Sequence, residues 1–210
     1  MKIALQGLLP EELQSLCKDV GQPAFRGTQL WQWLQANHAT RWEQMGNLPR
    51  ALKEQLAETH TPEPAAIRKE SGDPGGTRKW LVGLADGDSV ETVLIPARDR
   101  HTVCVSTQVG CRMGCVFCAS AQCGFARNLS AGEIVAQAQL VAAALGKRPD
   151  NVVYMGMGEP FDNYDEVLKS VRILNHPDGL NIGARRITLS TSGVVPGIRR
   201  LAGEGLQVEL

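Results

Sequence analysis

The sequence predicts an α/β protein whose second half is built on parallel strands, and three observations carry that prediction. From about residue 103, β-rich runs alternate with helical ones: "HTVCVST", "NVVYM", "RITLS" and "LQVEL" read as strands. The first three run into loops rich in Cys, Gly or Ser. Helix limits fall where the alternation needs them, with the capping box "SAGE" at Ser130–Glu133 opening a helix that Gly146 stops. Strands joined through helices run parallel, as an open doubly wound sheet or a barrel, and in both cases sites collect at the carboxyl ends of strands. The cysteine loop, "GMGEP" and "STSG" are therefore expected to face one another at one rim.

The earlier elements follow in order. Residues 1–60 read as a small all-helical domain. Leu13, Leu16, Cys17 and Val20 recur at helical spacing behind Pro10, and Gly21 ends that helix. A second helix is expected from near Thr28, with Leu30, Trp31 and Leu34 on one side; a third follows Pro49 and carries Leu52 and Leu56. Residues 61–100 are expected to be a linker and a β-hairpin, the Pro-, Gly- and charge-rich stretch around 59–78 being the main linker. "KWLVGL" and "VETVLIPA" then flank Asp86-Gly87, a strong hairpin turn. Alternation puts Glu91 on the side of Val93 and Ile95, and a carboxylate in phase with apolar residues needs a reason. Residues 101–210 form the strand–helix core, in which Asn163 with Glu166 opens a further helix.

Composition narrows the function. With 43% hydrophobic and 21% charged residues the chain has the make-up of a soluble globular protein, and no apolar run reaches the roughly 20 residues a bilayer requires. The N-terminus lacks the apolar stretch and cleavage site of a secretory signal, so the expected compartment is the cytoplasm, where thiols stay reduced. Lysine plus arginine equals aspartate plus glutamate at 22 each, so overall charge does not point to nucleic acid.

Five of the six cysteines lie between Thr102 and Phe125, and Cys111, Cys115 and Cys118 have the spacing CxxxCxxC. Reduced and clustered, they point to metal binding or catalysis rather than a disulfide framework. Three thiolates on so short a loop suit a 4Fe-4S cube with one iron left open to a ligand. A structural zinc site completed by Cys104, Cys123 or His101 is the alternative, with inert buried thiols the plainest one.

"CVFC" within that triplet, "GMGEP" after the next strand and "TLSTSGVVP" after the following one resemble the radical S-adenosylmethionine superfamily. With "FRGTQLWQWL", "ETVLIP" and "FCASAQCGFARNLSAGEI", the chain is similar to the RlmN/Cfr family of adenine methyltransferases acting on 23S rRNA and, for RlmN, on tRNA. The resemblance implies the first half of a (β/α) radical SAM barrel behind a helical RNA-binding domain. It implies that Cys111, Cys115 and Cys118 hold the cluster, and that S-adenosylmethionine chelates the open iron and yields a 5′-deoxyadenosyl radical on reduction. Gly158, Glu159 and Ser190 match cofactor-binding positions; glycine admits close backbone approach and a carboxylate suits a cationic amino group. Cys104 matches the cysteine that resolves a covalent protein–RNA adduct through a transient disulfide, and Glu91 the proton acceptor at the substituted adenine carbon. The implied partners are 23S rRNA, tRNA and an electron donor such as flavodoxin, with no membrane, and with a monomer at full length. Carbon 2 and carbon 8 of adenine both stay open as the methylated atom, with carbon 2 favoured.

Arg26, Arg41, Arg50 and Lys53 are candidate phosphate contacts; Trp31, Trp33 and Trp42 are candidate stacking residues whose plainer reading is core packing. Family members carry the methyl group on a later cysteine, and no cysteine follows Cys123. A fragment is therefore expected, with an open sheet edge, a bare inner face and no turnover of its own.

Overall fold

A computed structural model describes residues 2–73 and 75–210. The chain starts with β1 (Ile3–Ala4), a helical turn at Leu5–Gly7, α1 (Pro10–Asp19) and α2 (Phe25–Trp31), which runs on as a wide π-type turn to Ala36. α3 (Arg50–Thr59) leads directly into β2 (His60–Thr61), which pairs in parallel with β1. Pro10 takes the first turn of α1 as its fixed φ favours, and the Glu12 carboxylate accepts the Leu9 amide at 2.6 Å. α2 begins three residues before the expected Thr28, because Pro23 initiates the turn: Arg26 N donates to Pro23 O at 3.0 Å. Gly27 then lies against α1 so closely that a Cβ there would sit 2.4 Å from Gln14 N.

The stretch expected to be a linker is largely strand. β3 (Ala65–Gly72) pairs antiparallel with β4 (Arg78–Leu84), followed by β5 (Ser89–Ala97) and β6 (Arg100–Cys104). A short antiparallel hairpin of β7 (Gln108–Gly110) and β8 (Phe125–Asn128) encloses the cysteine loop, within which α4 (Ala119–Gln122) is a single turn. Then come α5 (Ala131–Leu145), β9 (Asn151–Tyr154), α6 (Tyr164–Asn175), β10 (Ile187–Leu189) and α7 (Val195–Ala202). The main sheet has the order β10-β9-β6-β5-β4-β3, parallel across β10, β9 and β6 and antiparallel across the rest. Glu209 adds a parallel bridge to Thr188, where the sequence places a further strand.

Alternation along these strands divides the sheet into two unlike faces. Leu94, Val103, Val152 and Ile187 are register partners, and none is more than 2% exposed. One residue along, Val93, Cys104, Val153 and Thr188 form the row on the other face, where Leu81, Ile95 and Met155 remain 38%, 42% and 54% exposed. A doubly wound sheet would have helices on both faces. A barrel wall is covered on one face only, and that is the arrangement here.

The covered face is fastened by polar groups as well as apolar ones. Gln137 of α5, fully buried, accepts from Thr92 Oγ1 and Ser106 N, both at 2.8 Å, and donates to Ser106 O at 2.9 Å. The N-terminal helices join the same block. Gln139 donates to Leu34 O and Gln35 Oε1, Gln35 to Gln6 O, and a Cβ on Gly7 would lie 2.5 Å from Gly132 N. The expected capping box at Ser130 is present, with Ser130 N on Glu133 Oε2 at 2.9 Å and Glu133 N on Ser130 Oγ at 3.3 Å; Gly146 closes α5 at φ +65°. Asn163 and Glu166 do open α6, but their side chains turn elsewhere. Asn163 Nδ2 donates to Thr107 O and Leu129 O, while Glu166 accepts Ala131 N at the start of α5.

Candidate functional site

The three parallel strands deliver three loops to the same end of the sheet, and backbone bonds join them. Gly156 N donates to Val105 O at 3.1 Å, and Thr107 N to Met157 O at 2.8 Å. The cysteine loop leaves β7 at Gly110, whose φ of +74° and contact with Gly124 (a Cβ would lie 1.8 Å from its carbonyl oxygen) admit only glycine. Cys111 N donates to Gly124 O at 2.9 Å and closes the base of the loop. Inside it Cys118 N donates to Cys115 O at 3.0 Å, and Cys118 stands just before α4. Backbone amides, first that of Ser120, hold the Cys118 thiol below its usual range. Cys111, Cys115 and Cys118 are all partly exposed free thiols, and beside them Val116 and Phe117 are 102% and 90% exposed.

The loop after β9 is its opposite. Gly158 has φ +105°, and a Cβ there would meet Thr107 Oγ1 at 2.6 Å, so the backbone lies close against the segment that joins β6 to β7. Glu159 is 3% exposed, and its carboxylate accepts Phe161 N at 3.0 Å and Ser192 N at 2.7 Å. The carboxylate read from sequence as a partner for a cationic amino group is thus engaged by amides, and it ties the β9 loop to the loop after β10. Ser190 stands exposed at the end of β10.

Glu91 and Cys104 share the uncovered face, as the alternation requires, with Cys104 opposite Val93 across the β5–β6 ladder. The face around Glu91 is open and its carboxylate pairs with Lys79 at 2.7 Å, so the cover that would desolvate it is not formed. Cys104 is 8% exposed; burial raises its thiol pKa and the Met155 backbone offsets part of that. Ser106 Oγ, the next side chain along the end of β6, donates to Glu91 O at 2.6 Å.

The other candidates are less concentrated. Trp31 is core, 2% exposed, with its indole N–H on Asp178 O at 3.2 Å, and Trp33 and Trp42 pack partly buried against the same cluster. Arg26 donates to Asn47 O and Lys53 to Met45 O, whereas Arg50 is exposed beside Glu54 and Arg41 is exposed.

The donor set fits an iron–sulfur cube better than one zinc ion. Among the described residues no three His, Cys, Asp or Glu side chains converge closely enough to hold a single ion, and none of Cys104, Cys123 and His101 completes such a group. A single zinc requires its donors to meet at one point about 2.3 Å away, whereas a cube receives each thiolate at a different iron. Three partly exposed free thiols on one short loop are the donor type that a cube takes.

The sequence did not single out Gln108, Arg112, Asp162 or Ser192, all of which lie in the joints between these loops. Gln108 stands between two β-branched residues in "STQVG", but its partners, like those of the other three, are set by the fold alone.

The radical SAM superfamily model matches residues 105–209, and the ribosomal RNA large subunit methyltransferase N-terminal domain matches residues 3–61. Over its whole length the chain is 48% identical to a probable dual-specificity RNA methyltransferase RlmN of Moorella thermoacetica, covering 62% of that protein. To the corresponding protein of Symbiobacterium thermophilum it is 50% identical over 98% of this chain and 56% of the relative. A radical SAM methyltransferase from Sphaerobacter thermophilus, known from its crystal structure, superposes with a TM-score of 0.91 at 44% identity over 98% of this chain and 62% of that one. The chain thus spans about three fifths of the length of these relatives. By the superfamily match over its second half and the RlmN-type match over its first, the chain belongs to the radical SAM superfamily, within the RlmN/Cfr family.

Proposed function

We propose that this chain carries the cluster- and nucleotide-binding part of an RNA methyltransferase that acts on carbon 2 of an adenine in 23S rRNA and in tRNA. The observation that carries the reading is convergence. A loop of free thiols, a glycine-flattened nucleotide loop and a sheet face bearing Glu91 and Cys104 meet at one end of three parallel strands. Residues 1–60 act as the RNA-binding accessory domain, 61–100 as the connecting β segment and 101–210 as the catalytic core. The cytoplasm is the compartment that fits an RNA substrate and reduced thiols; among the described residues no helix is long and apolar enough to cross a membrane.

In this reading Cys111, Cys115 and Cys118 hold a 4Fe-4S cluster, which with S-adenosylmethionine supplies the one-electron chemistry that opens the methyl-transfer route. A flavodoxin-like donor provides the electron. Gly158 gives the nucleotide close backbone approach, and Ser190 offers a hydroxyl at the same rim. Glu91 takes the proton from the substituted adenine carbon, and Cys104 supplies the thiol that frees the product from a covalent RNA adduct.

Anaerobic reconstitution tests it. The expected result is about four irons and four sulfides per chain, with an absorbance or EPR response to S-adenosylmethionine. A colourless protein binding one zinc would replace the reading with a metal-stabilised RNA-binding module. In the protein at its relatives' full length, Glu91→Gln or Cys104→Ala is expected to leave RNA covalently trapped. Loss of methylation with no trapped RNA would remove both residues from these roles, and mass spectrometry of the modified base separates carbon 2 from carbon 8.

A further inference from the structure

Between the cysteine loop and the nucleotide loop lies a chain of polar contacts that the assignments above leave unused. Gln108, fully buried, sits three residues before Cys111. Its Oε1 accepts Glu159 N at 2.9 Å, and its Nε2 donates to Asn128 Oδ1 at 2.8 Å and to Asp162 Oδ2 at 2.7 Å. The same Asp162 oxygen receives Arg112 Nε at 2.9 Å, and Arg112 follows the first cysteine. Arg112 also lies over the Phe125 ring, 3.8 Å from its centroid, across the base of the loop. Glu159 extends the chain to Ser192 N at 2.7 Å. A continuous path therefore runs from beside Cys111, through Asp162 and Gln108, to the backbone at Gly158-Glu159 and on to the β10 loop.

We propose that Arg112, Asp162 and Gln108 are positioning residues that lock the cysteine loop against the nucleotide loop, so that the two bound groups meet at a fixed separation. The inference rests on the function proposed above. Its physical basis is that the cysteine loop has almost no packing of its own. Val116 and Phe117 are bare, and its base is held by the Cys111–Gly124 bond and by the Arg112 side chain. One half-exposed ion pair contributes little to global stability. Displacement of a reacting group by about 1 Å, however, can cost on the order of a hundredfold in rate. The ion pair therefore acts on alignment far more than on folding. Gln108 makes the alignment specific, since one donor hydrogen holds Asn128 of β8 while the other and the acceptor oxygen hold Asp162 and Glu159 of the loop after β9.

The linkage is reciprocal: whatever fixes one loop favours ligand binding at the other. In the wild-type chain, loading the cluster should strengthen S-adenosylmethionine binding, and the lock should carry part of that coupling. The test uses the anaerobically reconstituted chain with Asp162→Asn, Arg112→Gln and the double variant; the Asn retains a side-chain oxygen for Gln108 Nε2 while losing the charge that pairs with Arg112. Iron and sulfide content and melting temperature report cluster loading and folding. The S-adenosylmethionine titration of the reduced cluster's EPR signal reports alignment. The expected result is unchanged iron and melting temperature, with affinity weakened about tenfold by Asp162→Asn and about threefold by Arg112→Gln. The loss in the double variant should be less than the sum of the two single losses, because both changes break the Arg112–Asp162 contact. Wild-type affinity in all three, with the cluster loaded, overturns the lock while leaving the proposed function standing. Strictly additive losses overturn it as well, since independent sites add. A wild-type chain that takes up no cluster overturns the function itself.

Discussion

The cysteine loop and the loop after β9 lie side by side at one rim, yet they are built in opposite ways. Around Glu159 the polypeptide is finished: Glu159, Phe161 and Asn163 are 3%, 6% and 3% exposed, and their polar groups reach three different segments. Around Cys115 it is not. Gly114 and Gly124 adopt φ of +69° and +68°, and the apolar side chains between them face water. Fully exposing a Phe forgoes roughly 1.5–3 kcal/mol of burial. The difference teaches that the loop after β9 is organised by the chain itself, whereas the cysteine loop, in the function proposed above, would take its order from bonds that its thiolates make to metal. For such sites the free energy of metal binding is local folding free energy.

The sharpest way to break this comparison is to remove a thiolate. Cys115→Ser or Cys118→Ser should reduce iron uptake from about four atoms per chain to less than one. The melting temperature of the metal-free protein should not change, since neither side chain packs against the core. If the metal-free variants melt well below the metal-free wild type, the loop has structure of its own and the contrast fails. The opposite perturbation targets the finished side. Gln137→Leu would leave Ser106 N, Ser106 O and the Thr92 hydroxyl unpaired inside the sheet–helix interface. Buried groups left without partners cost about 1–3 kcal/mol each, so with three of them chemical denaturation should show a loss of at least about 3 kcal/mol. The fraction that remains folded should still take up iron at the wild-type ratio.

What the sequence made legible follows the same divide. The cysteine triplet could be read because its chemistry lies in spacing alone, and α5 could be read because Ser130, Glu133 and Gly146 act within a few residues of the helix they bound. The alternation that put Glu91 with Val93 and Ile95 was equally local and correctly placed them on one face. The linker at 59–78 misled, because Lys, Glu and Gly are normal on an exposed edge strand, and β3 shows only Ala65 to the core. Asn163 and Glu166 open α6 as the sequence implies, but each side chain bonds to a segment more than thirty residues away in sequence. Gln108 and Gln137 were passed over for the same reason: a buried amide is identified by its partners, and those are long-range.

The smallest effect separates the two regions by thiol chemistry in the metal-free chain. Cys118 is partly exposed with its thiol pKa lowered by backbone amides, whereas Cys104 is 8% exposed with its pKa raised by burial. The thiolate is the reacting form, so Cys118 should reach its limiting alkylation rate at a lower pH, while the rate at Cys104 keeps climbing as pH rises further. A lower pKa also makes a weaker nucleophile, but that offsets only about half of the gain in thiolate fraction. Exposure acts in the same direction as the remaining half. At pH 8, iodoacetamide with peptide mapping should therefore find Cys118 modified about tenfold faster than Cys104 or more. Equal rates would mean that the sheet face around Cys104 opens as freely as the cysteine loop, and the two regions would no longer differ in the way their packing implies.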